Sequence, residues 1–166
     1  LERRTEIHNQ RLRELVSYSR QNSPYYAKLY ADVPEQFTLS DLPATNKRQL
    51  MDHWDDWVTD GTVTLQQMND FMHDKDNIGR KWQGKYMVVT TSGSTGNPLV
   101  MLCDKTVNNV MAAVSASRSY ARKKDMSAFI RKGGKSMGVY ADSGFYLGNS
   151  TIRSKLLMMP WKKRQF

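Results

Sequence analysis

With 166 residues and one cysteine, the chain is long enough for one domain with a real core, or for part of a larger protein, and it excludes an intrachain disulfide, which fits a reducing compartment. No apolar run of about 18 residues and no early apolar stretch behind basic residues is present, so no membrane span, membrane partner or signal peptide is expected, and cytoplasmic localisation is the default. The net charge of +9 sits in the last third: residues 1–117 hold 13 Lys and Arg against 14 Asp and Glu, residues 118–166 hold 12 against 2, and a solvated basic face is preferred to a nucleic-acid interface because no recognition motif accompanies the charge.

Glu2 to about Gln21 has the pattern of a helix, with Ile7, Leu12, Leu15 and Val16 as a narrow apolar stripe among charges. Ser23 then suits a helix cap and Pro24 the first turn, where a missing N–H is harmless, and Tyr25, Tyr26, Leu29 and Tyr30 follow as a short aromatic helix. Thr45 is expected to cap a third helix running to about Trp57, and Thr64 with Gln67 forms a capping-box pattern ahead of Leu65, Met68, Phe71 and Met72. The first 83 residues are therefore expected to be a helical segment.

Two decoys fall here. Asp74-Lys75-Asp76-Asn77-Ile78-Gly79 resembles the start of a calcium loop, but Ile78 occupies a position that needs an oxygen ligand and Lys85 the one that needs a bidentate Glu. Gly79 to Tyr86 runs G-x-x-x-x-G-K, yet ends on Tyr86 where a nucleotide hydrolase needs Ser or Thr for magnesium. No metal-ligand set is expected.

The stretch the chain is organised around is KYMVVTTSGSTGNPLVMLCD, Lys85 to Asp104. Tyr86 to Thr90 alternates in the β-branched, period-two manner of a half-buried strand, and Leu99 to Cys103 is a second apolar run. Between them stand only small residues, and the candidate binding residues are Thr91, Ser92, Gly93, Ser94, Thr95 and Gly96. The glycines permit geometries a Cβ forbids, and exposed amides and hydroxyls can converge on an anion. Cys103, in an apolar pattern, is expected to be a buried, inert thiol. A helix from Asp104 or Thr106 to about Lys124, with Val107, Val110, Met111, Val114 and Ala121 on one face, a strand over Lys135 to Ala141 and a helix over Ile152 to Met159 complete an expected α/β layer over residues 84–166.

TTSGSTGNPL, Thr90 to Leu99, resembles the phosphate-binding signature of the adenylate-forming superfamily of acyl-CoA synthetases, luciferases and adenylation domains. LRELVSYSRQNSPYYAKLY, Leu12 to Tyr30, with the turn Leu39-Ser40-Asp41-Leu42-Pro43 and Thr45-Asn46-Lys47, is similar to phenylacetate-CoA ligases and their relatives in capsular polysaccharide biosynthesis. The resemblance implies a helical segment followed by the start of a mixed α/β nucleotide-binding domain, hence the N-terminal part of a larger ATP-dependent ligase. It implies ATP and magnesium (Mg2+) as cofactors, a small carboxylic acid as substrate, and coenzyme A as one candidate acceptor; a homo-oligomer stays open. The loop lacks the family's frequent lysines, having Asn97 and Leu99 instead, and the aromatic-Gly-x-Thr-Glu segment is absent from this sequence. No residue of this chain is therefore assigned a catalytic role, and the chain alone is expected to be inactive. The competing expectation is a non-catalytic basic module that contacts nucleic acid or a protein.

Overall fold

The computed structural model describes residues 2–93, 98–119, 122–133 and 141–158. The chain divides into two compact units, Leu1–Met68 and Asn69–Phe166.

In the first unit α1 (Glu2–Asn22) is followed at once by α2 (Pro24–Leu29). Val16 is the buried member of the α1 stripe, while Ile7 and Leu15 are exposed, as suits a helix whose described partner is the short α2. Ser23 makes the junction: its Oγ accepts from the Tyr26 N–H at 3.3 Å and donates to the Asp56 carbonyl at 3.1 Å. One side chain thus caps α2 and ties it to the segment 54–57.

The third helix differs from the expectation in two ways. It is two helices, α3 (Lys47–Asp52) and α4 (Trp54–Trp57), broken at His53, whose φ of −122° and ψ of 32° leave the helical region. Its cap is Asn46, not Thr45: Asn46 Oδ1 accepts from the Gln49 N–H at 3.0 Å and Gln49 Oε1 from the Asn46 N–H at 3.1 Å. That reciprocal pair satisfies two free amides, whereas Thr45 has Arg48 three residues on and no acceptor to return. The box at Thr64 and Gln67 forms as expected, with bonds of 3.0 and 3.3 Å, and opens α5 (Leu65–His73). Val16, Val33, Trp54, Val63 and Met68 are the buried apolar residues of this unit.

The second unit holds a three-stranded antiparallel sheet in the order β1 (Lys81–Trp82), β2 (Tyr86–Thr90), β3 (Val100–Cys103). β1 falls inside the failed nucleotide-loop pattern and was not expected as a strand. Gln83 and Gly84 have φ of 48° and 71°, two consecutive positive values at the centre of a turn closed by the Lys85 N–H donating to the Trp82 carbonyl at 3.0 Å, within a three-residue connection between the paired Trp82 and Tyr86. β2 is buried at Met87, Val88 and Val89 in succession, which corrects the half-buried reading: both faces are covered. Met87 and Val89 cluster with Cys103, and Met101 and Met111 pack against them. Val88 and Val100 are buried on the opposite face, and α8 (Leu147–Met158) packs against β2.

The helix after β3 is capped by Asp104, whose Oδ1 accepts from the Val107 N–H at 2.7 Å. Its described part is α6 (Lys105–Ser119), and it does not run unbroken to Lys124, because Arg122 has extended backbone (φ −97°, ψ 132°) and α7 (Lys123–Arg131) begins behind it. Of the expected face, Val107, Val110 and Val114 are exposed and Ala121 lies outside the described residues; α6 packs on the edge strand β3, with Met111 against the Met87, Val89 and Cys103 cluster. Of the strand expected at Lys135 to Ala141, residues 135–140 lie outside the described residues and Ala141 has no regular structure. The helix expected from Ile152 begins earlier, at Leu147. The result is a mixed, helix-rich fold with a small antiparallel sheet, compatible with an α/β class. Among the described residues no helix is long and apolar enough to cross a membrane.

Candidate functional site

The small-residue segment is the connection of a hairpin. β2 and β3 pair from Met87↔Cys103 to Thr90↔Val100, and the next step of the ladder is unusual. The Thr91 N–H donates to the Leu99 carbonyl at 3.1 Å, but the Leu99 N–H donates to the Thr91 side chain, at 2.9 Å from Oγ1. A hydroxyl thus stands where a backbone carbonyl would continue the sheet.

The root of the segment is also held from the other edge of β2. The Thr90 N–H donates to the Phe145 carbonyl at 2.7 Å, and Thr90 forms a parallel bridge with Tyr146, immediately before α8. Asn149 steadies that approach, its Nδ2 donating to the carbonyls of Asp142 at 3.2 Å and Gly144 at 2.9 Å. The Phe145 and Phe71 rings lie 6.1 Å apart.

Of the six expected binding residues the structure describes three, all at the end of β2. Thr91 is half-buried, Ser92 is exposed, and Gly93 has a φ of 64°. A Cβ on Gly93 would lie 3.4 Å from the Pro98 nitrogen, so the outgoing and returning arms pass close together at this point. Ser94, Thr95 and Gly96, with Asn97, lie outside the described residues. No charged residue occurs from Thr91 to Pro98, so the segment's own side chains offer hydroxyls and an amide and no cation.

The neighbouring chemistry is sparse. Cys103 is buried, and burial, with a smaller contribution from the Asp104 charge, pushes its thiol above the ordinary range, which disfavours the reactive thiolate. Ser150 is fully buried, and its Oγ has no hydrogen-bond partner among the described residues. Asp74, at the head of the rejected calcium pattern, accepts from the Asp76 N–H at 2.9 Å and caps a single 3₁₀ turn, Lys75–Asn77. Among the described residues no cluster of His, Cys, Asp and Glu is fit to hold a metal ion. A cleft of about 410 Å³ in the first unit is lined by Arg13, Val16, Arg20, Glu35 and Phe37, among others, and includes no residue of the hairpin connection.

The Thr91–Leu99 bond and the bridge from Thr90 to Tyr146 were missed by sequence reasoning. Neither has a sequence signal: the first depends on where one hydroxyl points, the second on a contact across more than fifty positions. Compared with known proteins, the chain matches no family model, no curated protein and no solved structure.

Proposed function

We propose that this chain is the opening portion of an ATP-dependent carboxylate-activating enzyme, similar to the phenylacetate-CoA ligases, and that the segment Thr91–Gly96 holds the β- and γ-phosphates of ATP. The observation that carries the reading is the order Ser92-Gly93-Ser94-Thr95-Gly96 on the connection between two paired strands, with Gly93 at positive φ. Small residues on a fixed root leave amides and hydroxyls free to face an anion.

In this reading a carboxylate oxygen attacks the α-phosphorus of ATP, the bond to the β-phosphate oxygen breaks, and acyl-adenylate and pyrophosphate result. Negative charge grows on the leaving phosphates, where prearranged donors are most effective. Ser92, Ser94 and Thr95 would supply hydroxyls, and the backbone around Gly93 and Gly96 would supply amides. The segment has no carboxylate with which to hold magnesium, which would be carried on the phosphate oxygens if bound. The acyl group would then pass to coenzyme A or another acceptor.

The test is exchange of labelled pyrophosphate into ATP by the parent enzyme across a panel of carboxylic acids. Acid-dependent exchange that is lost in Ser94→Ala and Thr95→Ala variants is the expected result. Absence of exchange with every acid would overturn the proposal.

A further inference from the structure

The exchanged bond at the end of the β2–β3 ladder separates one threonine from the rest of the segment. In an antiparallel ladder, directly opposed residues either exchange two backbone bonds or none. Thr91 and Leu99 exchange one backbone bond, and the second goes from the Leu99 amide to Thr91 Oγ1. The side chain therefore closes the ladder, and the chain is released from strand geometry one residue later, at Ser92, ahead of the positive φ of Gly93.

We propose that Thr91 is a positioning residue, whose hydroxyl, held by the Leu99 amide, fixes the point and direction in which the segment leaves the sheet, while contact with phosphate falls to the residues beyond it. This rests on the phosphate-holding reading for its consequence but not for its geometry. The half-burial of Thr91 beside the exposed Ser92 agrees with the division of labour. So does the second anchor at Thr90, whose amide is already committed to Phe145: the root is held from both edges of β2, at Thr90 toward Phe145 and at Thr91 toward Leu99.

The experiment compares the wild-type chain with Thr91→Val, which keeps the β-branch and removes the hydroxyl, and with Thr91→Ser, which keeps the hydroxyl. Two quantities are read: amide hydrogen exchange at Leu99 without any anion, and affinity for inorganic tripolyphosphate. In Thr91→Val the Leu99 amide should exchange several-fold faster, up to about tenfold, as expected from the loss of one net hydrogen bond. Affinity should fall with it, and Thr91→Ser should restore both. Unchanged Leu99 exchange in Thr91→Val overturns the proposal, and so does a loss of affinity without a change in exchange, since that is the behaviour of a direct ligand. Faster exchange in a chain that binds no tripolyphosphate keeps the clasp and counts against the phosphate-holding reading alone.

Discussion

Two serines are almost wholly removed from solvent, Ser23 at 1% exposure and Ser150 at 0%, and alanine should lower stability at the first and not at the second. Ser23 both accepts and donates, so Ser23→Ala leaves the Tyr26 amide without its cap and the Asp56 carbonyl without that donor. The expected cost is about 1–2 kcal/mol. Ser150 Oγ has no partner among the described residues, and burying a hydroxyl without a bond is unfavourable. Ser150→Ala removes that hydroxyl from a helix that alanine favours, so it should be neutral or stabilising by up to about 1 kcal/mol. Urea denaturation midpoints at constant m-value decide both. A Ser150→Ala variant weakened as much as Ser23→Ala would mean that the hydroxyl has a bond from a residue beyond those described.

The close approach of α8 to the turn before β1 depends on one missing side chain. Gly79 has a φ of 81°, and a Cβ there would lie 2.6 Å from both the Arg153 Cβ and the Ser154 nitrogen, the latter being helix backbone that cannot step aside. Gly84, in the β1–β2 turn, has a φ of 71° and nothing within 4 Å of its Cβ position. Gly79→Ala therefore combines left-handed backbone strain with overpacking and should cost about 2–4 kcal/mol, whereas Gly84→Ala carries only the first and should cost about 1 kcal/mol. Thermal unfolding of the two variants side by side checks the difference; equal losses would show that α8 does not bear on Gly79. The same elements show what the sequence made legible. Bonds between near neighbours could be read: the cap at Ser23, the box at Thr64 and Gln67, and the two strands either side of Thr91–Pro98. The box at Asn46 was one residue away from the expected cap because only the return bond from Gln49 distinguishes it from Thr45. Periodicity gave α6 an apolar face at Val107, Val110 and Val114 but carried no information on what would cover it, and a two-residue β1 is too short to show any period. At the candidate site the residue types were legible and the Thr91 clasp was not, because a pattern of small residues does not say which hydroxyl is already engaged.

Charge acts on the molecule as a whole, and its distribution bears on how an uncharged segment could hold a polyanion. Thr91 to Pro98 carries no Lys or Arg, while residues 118–166 hold 12 basic and 2 acidic side chains. Arg131 and Lys132 are both exposed. Exposed cations attract through solvent and are screened within about 8 Å at physiological ionic strength, so their help to a bound phosphate is diffuse and no single one should dominate. Tripolyphosphate affinity should accordingly fall as salt rises, and the pair Arg131→Gln and Lys132→Gln should lower it by no more than about twofold. Binding titrations at two salt concentrations, on wild type and on the double variant, separate the possibilities. A tenfold loss would make one of these cations a direct ligand, and affinity indifferent to salt would leave hydroxyls and amides as the sole source of binding.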